Sequence, residues 1–154
     1  ELLFRGYDVL MIRTTHDVNM SNAQRAQMAN AAGADLFIRI HANGSEDPTA
    51  EGALTICQTP QNPYNGHLYD QSAALSEILL DEIVKEAGCK RQFVWETDTM
   101  TGINWCQTPV SIVEVGFMSC PKEDLLLADD DYRNLLTQGM ANGVDRYVLA
   151  DLGA

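Results

Sequence analysis

The sequence predicts an α/β fold, a three-layer sandwich in which a mixed, mostly parallel sheet is flanked by helices. Two observations carry this. Residues 36–43 (LFIRIHAN) and 109–119 (PVSIVEVGFMS) are apolar, β-branched-rich runs of the kind that form buried strands. They lie between segments of helical periodicity, and strands alternating with helices build a sheet covered on both faces.

The elements follow in order. Residues 1–6 (ELLFRG) read as the last turn of a helix, with Gly6 just past its end. Residues 7–13 (YDVLMIR) read as a strand, and 14–20 as a polar connection. Ser21 suits the N-cap of a helix from Asn22 to about Ala32, which Gly33 stops before the strand 35–42. Residues 43–51 (NGSEDPTAE) carry the breakers of a loop, 52–57 (GALTIC) form a short strand, and 58–66 form another loop. Over 67–87 a long helix places Leu68, Leu75, Ile78, Leu79 and Ile83 on its apolar side, and Gly88 ends it. Residues 93–105 fit either a β-hairpin or an irregular loop. A strand over 110–115 comes next, and Pro121 suits the first turn of a short helix. In the last helix Leu135, Leu136, Met140, Val144, Tyr147 and Val148 form one stripe. Gly139 and Gly143 beside that stripe predict close approach to the sheet. With no repeat, low-complexity run or linker, residues 1–154 read as one domain.

Composition narrows the function. A net charge of −12 argues against a nucleic-acid partner, which needs a basic patch. The acids gather at Glu77, Asp81, Glu82 and Glu86, at Glu123 and Asp124, and at 129–131, where solvated helix faces explain them. No apolar stretch approaches the roughly 20 residues of a membrane span, and 1–6 carries no secretory signal. Cys57, Cys89, Cys106 and Cys120 form no CxxC pair and are too scattered for a disulfide scaffold, so free and mostly buried thiols are expected.

Two side chains stand at strand ends, where α/β sheets bind ligands. His41 has two readings, a satisfied core histidine or a zinc ligand, and its place before an Ala-Asn-Gly loop opening suits the second. Glu114 lies within an apolar strand, where a carboxylate is costly unless it is paired or near a metal. An apolar setting also raises its pKa towards the range of a general base. His16 and His67 lie in polar segments and read as solvent-facing, and no serine sits in a G-x-S-x-G elbow.

These residues resemble the zinc-dependent N-acetylmuramoyl-L-alanine amidases of the Amidase_3 family. Residues 5–9 (RGYDV) with Arg13 resemble the family's RGY-x-V…R segment, and Arg25, Ala29 and Asn30 with 34–38 (ADLFI) resemble its R…AN…ADLFIS helix and strand. Residues 40–43 (IHAN) and 113–119 (VEVGFMS) resemble the IHAN and E-x-GF-x-SN segments, and 143–147 (GVDRY) its last helix. The resemblance implies an enzyme that hydrolyses the amide between N-acetylmuramic acid and L-alanine in peptidoglycan. It implies His41 as a Zn²⁺ ligand and Glu114 as the catalytic base, with zinc activating a water. It implies action outside the cytoplasmic membrane, whether extracellular, periplasmic or at the cell wall. It also implies that the family's first strand and most of its first helix, with a histidine and a glutamate ligand, are lacking from this chain. Arg39 replaces a usual small residue before Ile-His, and Cys120 stands where asparagine is common. Two further readings stay open: a metal-free amidase-like module that binds peptidoglycan, and a zinc exopeptidase of similar topology.

Overall fold

A computed structural model describes residues 1–151. Helix α1 (Asn22–Ala32) leads into strand β1 (Phe37–Asn43), followed by β2 (Ala53–Cys57), a 3-10 turn at Gly66–Leu68 and helix α2 (Tyr69–Ala87). Then come β3 (Arg91–Glu96), the single-turn α3 (Thr101–Asn104), β4 (Val110–Phe117), α4 (Pro121–Ala128) and α5 (Asp130–Asp151). The strands lie in the order β1-β4-β2-β3, with β1 parallel to β4, β2 antiparallel to β4 and β3 parallel to β2. The expected mixed, mostly parallel sheet is therefore present.

Side-chain alternation sorts the sheet residues into two cores. On one face Phe37, Leu54, Ile56 and Ile112 pack with Ala26 and Ala29 of α1 and Ile103 of α3. On the other, Ala53, Val113 and Val115 pack with Leu75, Leu79 and Ile83 of α2 and Leu136 and Val144 of α5. Helices thus cover both faces, and the sheet is the middle layer.

Local chemistry sets the helix ends. Ser21 caps α1 by accepting from the Gln24 N–H, while the Gln24 side chain accepts from the Ser21 N–H. Gly33 then closes α1 in the left-handed conformation. Pro121 opens α4 as expected.

The structure corrects several expectations. Residues 7–13 form no strand. A strand exists only in a ladder, and β1 pairs with β4 alone, so Val9, Leu10 and Met11 stay exposed. The segment instead anchors at its ends, Tyr7 against the α2–α5 core and Ile12 against the α1 core. The ambiguous 93–105 stretch resolves into most of β3 and all of α3. On α5 the buried side holds Tyr132, Leu136, Ala141 and Val144, while Leu135 is exposed. Gly139 and Gly143 approach α2 rather than the sheet. A Cβ at Gly139 would lie 2.7 Å from the Ile83 Cα, and one at Gly143 3.1 Å from the Leu79 Cα. Two of the acids assigned to solvent, Glu82 and Glu123, are buried.

Candidate functional site

His41 and Glu114 are direct cross-strand partners in the parallel β1–β4 ladder. Neighbouring strands run about 4.8 Å apart, so the two side chains leave the same sheet face side by side. Both come near the carboxyl ends of their strands. There β1 carries a register shift between His41 and Asn43, and bulges at strand ends re-aim side chains.

The two exit loops are laced together just beyond. The Met118 N–H donates to the Asn43 carbonyl (2.8 Å), and the Ser45 N–H donates to the Ser119 Oγ (2.9 Å). Below them Glu123 of α4 accepts from the Gly52 N–H (2.8 Å) and the Phe117 N–H (2.7 Å). That carboxylate explains the glycine of the VEVGF run. Gly116 has φ +152°, and a Cβ there would lie 3.2 Å from the Glu123 Oε2. Sequence reading missed Glu123 because its partners belong to β2 and β4. The only local signal is its third position in a helix opened by Pro121.

Glu114 is half-buried, and its Oε2 is buried with no hydrogen-bond partner. Burial raises its pKa above the ordinary glutamate value, an effect the Arg39 charge partly opposes. His41 is shifted downward, first by loss of hydration around part of its ring and then by the charges of Arg39, Arg25 and Arg13. Both effects favour the uncharged imidazole, in a residue that is exposed to solvent overall.

Arg39, two residues before His41 on the same strand face, is 8% exposed. Its Nη2 donates to the Asn22 Oδ1 at 2.8 Å, which ties the start of α1 to β1. Its guanidinium occupies the space that a side chain at position 102 would need, since a Cβ on Gly102 would lie 1.8 Å from the Nη1.

His16 and His67 are exposed, as expected. The four cysteines are free, and burial pushes Cys57 up to about 11 and Cys106 up to about 12, so neither is a thiolate nucleophile. Among the described residues, no three His, Cys, Asp or Glu side chains are grouped so as to hold a metal ion. His41 and Glu114 offer at most two donors beside a buried cation, and that set does not by itself fit a zinc ion.

β2 and β3 run opposite to β1 and β4, so their carboxyl ends lie at the far end of the sheet. There Asp98 accepts from the Thr59 N–H, the Thr59 hydroxyl and the Asn62 amide, and the Asn65 amide donates to the Ile103 carbonyl. This network holds the 58–66 loop against the segment that leads into α3.

A carboxyl with an unpartnered oxygen and an imidazole near the carboxyl ends of adjacent parallel strands belong to the class of acid–base pairs on an α/β domain. Comparison with known proteins sharpens that class. The Amidase_3 family, described as N-acetylmuramoyl-L-alanine amidase, matches residues 1–146, and the chain belongs to that family. It is 27% identical to the N-acetylmuramoyl-L-alanine amidase AmiC of Neisseria meningitidis, over 93% of this chain and 42% of AmiC. It is also 27% identical to the germination-specific N-acetylmuramoyl-L-alanine amidase of Bacillus subtilis, over 80% of this chain and 49% of that protein. The chain thus spans about half the length of these curated relatives. Among solved structures, the catalytic domain of the amidase CwlV from Paenibacillus polymyxa superposes with a TM-score of 0.79 at 26% identity. That match covers 92% of this chain and 72% of CwlV. The amidase Ami1 of Mycobacterium smegmatis, at 22% identity, shares the fold with a TM-score of 0.86, over 97% of this chain and 70% of Ami1.

Proposed function

We propose that this domain hydrolyses the amide joining N-acetylmuramic acid to L-alanine, acts on peptidoglycan at the cell wall, and uses Glu114 as its general base. The observation that carries the reading is the Glu114 carboxyl, half-buried in the central sheet with an unpartnered oxygen beside His41, in a chain that belongs to the amidase family. Its raised pKa suits a group that takes a proton from an attacking water and returns it to the departing amine. The neutral His41 imidazole offers a lone pair next to it.

Zinc, when bound in this family, polarises the scissile carbonyl and acidifies a water. Among the described residues His41 is the ligand this reading assigns, and further donors have to come from outside them. The same reading places another strand, from residues preceding Glu1, along the free edge of β1. The exposed Ile40 of β1 supports this, because an apolar residue on a strand with an unpaired edge is ordinarily covered.

The test has two arms. Zinc retained by the chain after equilibration and removal of excess is expected to fall well below one ion per chain. An upstream-extended form is expected to hold zinc and to release stem peptides from muropeptides, with Glu114→Gln lowering the rate at least about 100-fold. An extended form that holds zinc yet leaves muropeptides intact overturns the proposal. The donor shortfall favours a second reading, a metal-free module that binds peptidoglycan, and chelator-insensitive binding by the extended form would establish it.

A further inference from the structure

In a chain with 22 acidic residues against ten Lys and Arg, nearly every cation has an anion to pair with. Seven of the ten, from Arg5 to Arg146, do so. Among the described residues, the three without a carboxylate partner are Arg13, Arg25 and Arg39. All three belong to one place.

Arg39 shares the sheet face of His41 and donates to Asn22 in the first turn of α1. Arg25 follows Asn22 by three residues and so lies on the same side of that helix. It is half-buried, and its Nε is held by the Met20 carbonyl at 3.3 Å. Arg13 is exposed and donates to the His16 carbonyl at 3.3 Å, next to Ile12, which packs against the α1 core. The start of α1 points at the same spot and adds its own partial positive charge. All three guanidiniums act electrostatically on His41. Arg25 and Arg13 spend only one N–H each on a backbone carbonyl, so each fork keeps free donors in the geometry that fits a carboxylate.

We propose that Arg25 and Arg13, backed by the buried charge of Arg39, form a carboxylate-binding subsite beside His41 and Glu114, and that its ligand is a carboxylate of the peptidoglycan stem peptide. The proposal rests on the amidase reading above. The stem peptide continues from the scissile amide at about 3.5 Å per residue. An acidic residue one or two positions along is therefore within reach of groups that already influence His41. An uncharged acetylated sugar has no use for three unpaired cations, whereas an acidic peptide does. In a protein of net charge −12, a local positive patch also steers an anionic peptide to this end of the sheet.

The experiment measures binding by the chain of muramoyl-L-alanyl-D-glutamate and of the same compound with both carboxyls amidated, by titration calorimetry. The free acid is expected to bind about tenfold tighter, with the ratio narrowing as salt is raised. Arg25→Gln and Arg13→Gln are each expected to pull that ratio towards one, chiefly by weakening affinity for the free acid. Equal binding of acid and amide by the unaltered chain, with binding present, overturns the subsite and leaves the amidase reading standing. An acid preference that survives in both variants also overturns it. Absence of binding by either compound overturns the subsite, while the amidase reading is judged separately on release of stem peptides by the extended form.

Discussion

Removing the Glu123 carboxylate is expected to cost the fold far more than its place in an acidic helix suggests. Glu123 is 5% exposed and accepts from the backbone N–H groups of Gly52 and Phe117. It joins the entry of β2, the exit of β4 and the start of α4. Glu123→Ala leaves two buried donors without an acceptor, at about 1–3 kcal/mol each, for a total of about 2–6 kcal/mol. In a domain of this size a change of that order lowers the Tm by about 5–20 °C. Glu123→Gln keeps one acceptor oxygen and is expected to lose roughly half as much. Urea unfolding followed by tryptophan fluorescence gives the difference directly. A loss for Glu123→Ala below about 1 kcal/mol, within the range of an ordinary surface substitution, would refute the claim that this carboxylate clamps the end of β4 at Gly116 and Phe117.

Three more outcomes are expected. Glu114 is raised in the folded chain, so its folded form disfavours the charge: the cost sets in as pH rises past the unfolded value near 4.5 and is complete above the folded value. Glu114→Gln is therefore expected to gain stability relative to the parent at pH 7 and not at pH 4, read from urea midpoints at the two values. Gly139→Ala places a Cβ 2.7 Å from the Ile83 Cα and 2.8 Å from the Glu82 carbonyl. It is expected to destabilise by about 1–3 kcal/mol although alanine is the better helix former, and thermal unfolding checks the sign. Cys57 and Cys106, raised to about 11 and about 12, are expected to resist iodoacetamide at pH 8 in the native chain and to react on unfolding, as peptide mass mapping would show.

Much of the architecture is legible in the sequence because it is encoded locally. The continuous apolar runs around His41 and Glu114 report burial on both faces, and Ser21 and Gly33 mark their helix by capping chemistry. What fails is whatever depends on a distant partner. Residues 7–13 have the composition of a strand but no ladder to join, and composition carries no information about neighbours. The glycines of α5 signal a close approach without naming its object, which is α2. For the site, chemistry and position single out His41 and Glu114, and the ladder then sets them side by side. Glu123 and the three unpaired arginines stay hidden, since whether a charge is solvated, clamped or left alone is decided only when the chain closes on itself.

The two members of the central pair stand on unequal ground. Among the described residues, Glu114 belongs to an interior strand bonded on both sides, whereas His41 lies in a strand bonded on one. Within the described residues, amide exchange at β4 therefore requires opening of the sheet itself, while β1 frays singly until a further strand covers its free side. The carboxylate is the fixed point of the pair, and what lies along that side sets how far the histidine strand moves against it.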